Sequence, residues 1–439
     1  MSRRAAHTSD SGGSKLAVFR NRNFTLLWVG SVISNSGGWM QMVAQGYLVY
    51  QLSGSPFLLG AIGVSRAIPF IVLAPFGGVV ADRVDRLRLL KVTQSLQFSL
   101  ALVQALLVAT GLIEIWQIAL LSFFGALVNS FDQPTRSAIL PDLVRREDLA
   151  KAIALNSSVW HGSALFGPTL AGVIIAGISL KAAFFGNVVG FAVVIAALYM
   201  MRGVPERSGK PSTASFTGDF FAGLRYVRST PFVMTLLLIS CVVSLSGRSY
   251  QQLLPAFSHD VLNVGPDGLG LMMSAPGLGT VVGTIVLASS NDITHKGRAL
   301  FAGMLFLSIT LALFALNRSF PVALVLLFFA GAASLLFSTM MTTMLQLDVA
   351  TEMRGRIMAL VSVSFQGVQP LGSLITGAIA SAIGISEATF IAAVLVGVVA
   401  VVGWSVLPSV RDYARDPATS KPAWGPGAPA PVATGDASS

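Results

Sequence analysis

Charge is what this chain has least of. Of its 439 residues only 11% are Asp, Glu, Lys or Arg, while 54% are apolar. A soluble domain carries about 25% charged residues, so a water-facing surface for a chain of this size could not be covered. That excludes an ordinary soluble globular protein. Cysteine is nearly absent too: Cys241 stands alone inside an apolar tract, which excludes an internal disulfide and any Cys-x-x-Cys site. The four histidines, His7, His161, His259 and His295, are scattered without metal-ligand spacing. No Gly-x-x-x-x-Gly-Lys-Ser/Thr loop occurs, so the chain is not expected to hydrolyse ATP. No metal or cofactor is expected, and no cluster of reactive side chains within the apolar tracts suggests an enzyme. Residues 1–23 are polar and basic without an apolar core, which argues against a cleaved signal peptide.

What the sequence has in abundance is apolar tracts of about 20 residues, each long enough to cross a hydrocarbon layer of about 30 Å. Breaking hydropathy at Pro, Gly and charge clusters gives twelve of them. In the first half they are 24–50, 56–80, 89–111, 115–131, 156–178 and 182–201; in the second, 232–256, 267–290, 298–316, 320–345, 357–384 and 387–407. The expected organisation is a cytoplasmic tail (1–23), a six-helix bundle (24–201), a polar linker (202–231), a second six-helix bundle (232–407) and a disordered cytoplasmic tail rich in Pro, Ala and Gly (408–439). Within the linker, Phe216 to Arg228 is amphipathic and expected to lie along the membrane surface.

The 29 basic residues exceed the 19 acidic ones, for a net charge of +10. On a soluble chain this balance would suggest nucleic acid; here its distribution reports topology. Of the 29, 25 lie in the two tails, the linker and the loops on their side, only Lys181 and Arg318 lie opposite, and Arg66 and Arg248 fall inside spans. The asymmetry predicts both termini in the cytoplasm and no nucleic-acid partner.

The chain also repeats itself. At an offset of 210, Pro56, Gly60, Asp82 and Arg88 match Pro266, Gly270, Asp292 and Arg298. At an offset of 205, Gly162, Gly167 and Gly172 match Gly367, Gly372 and Gly377. Three glycines repeated at a five-residue spacing are not explained by shared apolar composition. Duplicated six-helix halves are the architecture of alternating-access transporters, with the binding site between the halves near the midplane.

Motifs sharpen this. After the second span comes Gly77-Gly78-Val79-Val80-Ala81-Asp82-Arg83-Val84-Asp85-Arg86-Leu87-Arg88. It resembles the GxxxDRxGRR signature of the major facilitator superfamily, keeping Gly78, Asp82, Arg83 and Arg86 but placing Asp85 where the family has glycine. A second, degenerate copy retains Asp292, Lys296 and Arg298. The resemblance implies a cytoplasmic gate: Gly78 allows close helix approach, Asp82 accepts from backbone N–H groups at a helix start, and Arg83 and Arg86 pair with acids on the moving half. A solvated basic loop serving topology alone is the plainer alternative. In the fifth span Gly162, Gly167-Pro168 and Gly172 resemble the superfamily's antiporter motif, although small residues at such spacing also serve packing alone. Asp132 to Arg136, Leu140 to Val144, Arg354 to Arg356 and Pro370 to Ser373 resemble the branch that includes the enterobactin exporter and proton-linked multidrug exporters. The resemblance covers about residues 15–407.

Charges inside membrane tracts are costly and usually face a cavity. Arg66 lies ten residues past Pro56, about 15 Å into its span, and Gln41 or Gln45 are its expected polar neighbours if its role is structural. Arg248 lies sixteen residues past Phe232, within snorkelling range of the outer interface. Asn35, Gln41, Gln45, Gln251, Gln366 and Gln369 fall on spans that line the cavity in this superfamily, and each also reads as a helix–helix hydrogen bond. No Asp or Glu is expected at mid-membrane; Asp132 and Asp348 are placed at the cytoplasmic ends of spans four and ten. Basic residues without acids favour an anionic or hydrogen-bonding substrate. Proton coupling then falls to Asp132 or, second, His161. The expectation is an all-α, twelve-helix transporter of the bacterial inner membrane, acting as a monomer among lipids. It exports a small amphiphilic or anionic compound, siderophore or drug-like, in exchange for protons. Lipid flipping, proton-coupled import and a non-transporting scaffold stay open, because fold does not fix direction or cargo.

Overall fold

The computed structural model describes residues 17–204, 216–290 and 293–413. The side chains of 74–79, 81–83, 161, 216–221 and 352 lie outside that description. Most of the tail beyond 408, much of the expected linker and the whole stretch 1–16 fall outside it as well. The described residues are almost entirely helical. The first set comprises α1 (Arg22–Ser53), α2 (Pro56–Arg83), α3 (Arg86–Thr110), α4 (Ile115–Leu143), α5 (Leu149–Gly177) and α6 (Leu180–Met200). After α7 (Phe216–Ser229) comes the second set: α8 (Pro231–Val261), α9 (Pro266–Ser289), α10 (Lys296–Leu316), α11 (Phe320–Asp348), α12 (Met353–Ile383, with its first turn at Thr351) and α13 (Ile385–Val406).

Eleven of these helices are long and apolar enough to cross a membrane. The long α1 is not among them, because its 32 residues include Ser34, Asn35, Ser36, Gln41 and Gln45. Large exposed apolar side chains such as Ile178, Leu316 and Val406 cover the outside, a surface suited to lipid rather than water.

Local chemistry sets the helix ends. Asn21 caps α1 by accepting from the Asn23 and Phe24 amides at 3.0 and 3.3 Å. Gly54 ends the helix at φ +60°, a left-handed turn that favours glycine. Asp85, which departs from the family pattern, caps α3 by accepting from the Arg88 amide at 2.5 Å.

Span four differs from the sequence expectation. Instead of ending near 131, α4 continues through Pro134 and Pro141 to Leu143, and α5 starts at Leu149 after a 3-10 turn, Arg146–Asp148. Proline costs a helix one hydrogen bond, but polar side chains serve nearby carbonyls. Thr135 Oγ1 donates to Phe131 O at 2.6 Å, and Arg86 Nη1 donates to Ala138 O at 2.9 Å. Asp132 therefore lies within α4, seventeen residues from its start, or about 26 Å along the axis.

Helices α8 and α12 are interrupted by wide π turns at Val243–Gly247 and Val363–Gly367, and α8 has another at Phe257–Val261. Packing is dense within each set: α1 against α5 and α6, α2 against α4, and α3 against α4 and α6. In the second set α10 packs on α11 and α13, α9 on α11, and α12 on α13. Between sets the main contacts are α2 with α12 and α5 with α9, while α1 touches α8 and α9.

Candidate transport cavity

The two sets meet tightly at the end where α1 turns into α2 (the distal end). A Cβ on Gly60 would lie 2.5 Å from Ser373 O, and one on Gly377 would lie 2.6 Å from Pro56 O. On the other side of the bundle a Cβ on Gly270 would lie 2.6 Å from Pro168 O, and one on Gly172 would lie 2.8 Å from Pro266 O. The duplicated glycines thus meet as reciprocal pairs, each helix crossing close enough that a side chain would strike backbone. Among the described residues, the hydrogen bonds joining the two sets lie at this end too. Tyr50 donates to Asp260 Oδ2, Thr169 Oγ1 to Ser274 Oγ at 2.7 Å, Phe57 N to Ser381 Oγ at 3.3 Å and Gln252 Nε2 to Leu59 O at 3.2 Å.

Toward the opposite end, where α1 begins and α13 finishes, a cavity of about 440 Å³ opens between α8, α11 and α12, a size typical of small-molecule sites. Gln346 and Met358 flank its mouth; Met358, Val361 and Phe365 give it an apolar wall; Arg248 stands at its inner end. The guanidinium of Arg248 lies over the Phe365 ring, 5.8 Å from the centroid. Its Nε is buried without a hydrogen-bond partner, while Gln369 Nε2 donates to the Arg248 carbonyl at 3.4 Å. Both π turns border this region. Ser240 on α8 and Ser364 in the α12 π turn share a hydrogen bond of 2.8 Å.

Arg66 occupies a different place. Its exposed side chain lies along the seam between the sets, beside a gap of about 10 Å³ that Gln45 and Gln252 share. It makes no hydrogen bond or ion pair with any described residue. Its expected neighbours are engaged elsewhere: Gln45 Nε2 donates to Ser122 Oγ at 2.8 Å and Gln41 Nε2 to Gln104 Oε1 at 2.5 Å, while Asn187 donates to Gln41. These glutamines bind the first set together. Asn35 Nδ2 donates within its own helix to Ser31 O at 2.8 Å. Gln366 is exposed at the second-set cavity, and Gln251 is half-buried on α8.

Asp132 is buried, not at a helix end as its sequence position suggested. It accepts from Thr93 Oγ1, Gln94 Nε2 and Arg136 Nε, each at 2.7 Å, and Arg136 Nη1 donates to Ser31 Oγ at 2.6 Å. Sequence reading missed this network because it assigned a loop there; the Asp-x-x-x-Arg spacing, one helical turn, was the available signal. The side chains of Gly78, Asp82, Arg83 and His161 lie outside the described residues, as does Asp292. Arg86 pairs with Asp142 at 2.7 Å, so its described acidic partner lies on α4 of its own set, not on the other half. Lys296 is buried and donates to Ile293 O at 2.8 Å. Arg298 reaches Asp412 at 3.4 Å. Arg411, hydrogen-bonded beside it, holds the Asp412 carboxyl below its usual range, with Arg298 adding to the effect. Gly167 seats Trp39 of α1, with a Cβ position only 2.6 Å from Trp39 Cβ, whereas Gly162 faces open space.

A helical bundle packed closely at one end, with an amphiphilic cavity leading in from the other, is the arrangement expected of a membrane transporter. Residues 13–427 match the transmembrane secretion effector family, and the chain belongs to that family of the major facilitator superfamily. It is 26% identical over 418 residues to an uncharacterised transporter of Bacillus subtilis (90% of this chain, 96% of the relative). It is 23% identical to the staphyloferrin A transporter of Staphylococcus aureus (80% and 87%) and 24% identical to the multidrug efflux pump Tap of Mycolicibacterium fortuitum (88% and 96%). In fold it is similar to a bacterial homologue of the human lysosomal transporter Spinster, solved inward-facing and unoccupied. The TM-score is 0.72 at 14% identity, covering 92% of this chain and all of that one.

Proposed function

We propose that the protein is a secondary exporter that carries a small amphiphilic or anionic compound out of the bacterial cytoplasm by alternating access, in exchange for protons. Twelve spans form two six-helix halves (24–201 and 232–407) joined by the linker 202–231, with both termini cytoplasmic, and a monomer in the inner membrane is the working unit. The observation that carries this reading is the pairing of a sealed distal end with a cavity open on the terminal side. With the termini in the cytoplasm, this is the state in which an exporter loads. A relative named as a multidrug efflux pump supports an export role, and one named as the staphyloferrin A transporter supports a small-molecule cargo.

In the cycle, substrate enters past Gln346, the halves rock about the midplane, and the distal glycine pairs separate. Gly78, Asp82, Arg83 and Arg86, with Asp292, Lys296 and Arg298 in the second half, latch the cytoplasmic side in the alternate state. Protons bias the return through Asp132, whose charge is matched by Arg136, or through His161. The test is flux in proteoliposomes, using fluorescent drugs and siderophores with and without an imposed pH gradient. Gradient-dependent uptake into inside-out vesicles is expected; no flux of any compound would return the chain to a scaffold. Asp82→Asn should lose most transport while the protein remains folded in the membrane, and undiminished transport by a well-expressed variant would remove the gate.

A further inference from the structure

Arg66 and Arg248 both lack a carboxylate partner among the described residues, and Arg248 fronts a space that could hold a ligand. The gap beside Arg66 is about 10 Å³, room for a single water. The Arg248 cavity is about 440 Å³. Arg248 is half-buried, with Nε enclosed and unpaired and no hydrogen bond from either Nη to a described residue. An unpaired buried polar group is costly, and the two Nη groups form a fork that matches the two oxygens of a carboxylate. The backbone supports a site here as well. π turns in both α8 and α12 border the same cavity, and irregular backbone at membrane depth is tolerated where it lines a cavity.

The walls add chemistry. Ser338, Thr342 and Ser362 donate their hydroxyl hydrogens to carbonyls of their own helices, at 3.0, 2.7 and 3.1 Å. Their oxygens therefore face the cavity as acceptors. Phe365, Val361 and Met358 supply the apolar side.

We propose that the inner end of this cavity is a carboxylate site. Arg248 takes the head group of an organic carboxylate in a two-point bond, and the hydroxyl oxygens of α11 and α12 accept from hydroxyl or amide donors on its apolar body. This deepens the export reading by naming the substrate class, and it places the charge-recognising residue in the second half of the molecule.

The test uses equilibrium dialysis of purified protein in lipid nanodiscs against empty nanodiscs. Dansylglycine and dansylglycinamide differ only in the carboxylate. Wild type is expected to bind the acid at least about tenfold more tightly than the amide, the worth of one charge-assisted pair. Arg248→Gln should abolish that preference, and Arg248→Lys, which keeps charge but loses the fork, should retain only part of it. Equal binding of acid and amide by the wild type overturns the proposal without recourse to any variant. Tighter binding of dansyltaurine, the sulfonate analogue, than of dansylglycine overturns the carboxylate class. The measurement needs no gradient. A protein that binds but does not translocate would sink the transport reading and leave this one standing, and export of neutral compounds without acid preference would do the reverse.

Discussion

At the scale of single residues, the deciding feature is which buried charges find partners. Asp132 and Arg136 neutralise each other on adjacent turns of α4, and Thr93, Gln94 and Ser31 complete their hydrogen bonds from α3 and α1. Removing one member of a buried pair leaves the other uncompensated, a loss of about 3–5 kcal/mol. Arg136→Leu should therefore lower the melting temperature in detergent far more than the double change with Asp132→Leu, read as a double-mutant cycle. Additive losses would mean the two charges do not stabilise each other. This pair was only partly legible beforehand. The residues and their spacing are in the chain, but an acid two residues before one proline and nine before another reads as a loop until Thr135 and Arg86 are seen to serve the carbonyls there.

Elements act here through their crossing points. The reciprocal contacts of Gly60 with Ser373, Gly377 with Pro56, Gly270 with Pro168 and Gly172 with Pro266 set how closely α2 meets α12 and α5 meets α9. A branched side chain at Gly270 would meet backbone, which yields far less readily than a flexible side chain. Gly270→Val should hold the distal end open. In a Cys241→Ser background, a reporter introduced by Ser381→Cys should then react faster with a membrane-impermeant maleimide than without the valine. An unchanged labelling rate would show that the seal does not depend on this crossing. The segment after α13 is tied back through Asp412 to Arg298 and Arg411. Because the folded carboxyl titrates below its usual value, about 3.9, this tie is complete above that value and is lost as pH falls through the depressed one. The small stability difference between wild type and Asp412→Asn should accordingly be present at neutral pH and vanish in strong acid; a difference that grows with acidity would contradict the pairing.

For the whole molecule, function rests on the balance between two arrangements of the halves. Tyr50 on α1 and Asp260 on α8 form a direct bond across them at the sealed end, where His259 also bonds Asp260 at 2.8 Å. A hydrogen bond to a charged group is worth about 1.5–3 kcal/mol, enough to shift the ratio of two states about 10- to 150-fold. Tyr50→Phe should move the population toward the distal-open state by an amount in this range, measured as spin-label distances across the distal end. No change in the distance distribution would remove the bond from the conformational balance.

The sequence by itself determined the membrane class, the approximate spans, the charge bias toward one side and the duplication. It did so because hydropathy, basic residues and repeated glycines are written along the chain and need no knowledge of neighbours. Of the glycines that matched at offsets of 210 and 205, Gly60 with Gly270 and Gly172 with Gly377 meet backbone across the seal. Only the tertiary structure decided the partners: that Gln41 and Gln45 bind their own half, that Asp132 is paired, that Arg86 turns to Asp142, and that Arg248 fronts a cavity large enough for a ligand. Partnership depends on which helices become neighbours and at what depth, and that is a property of packing which no local pattern along the chain encodes.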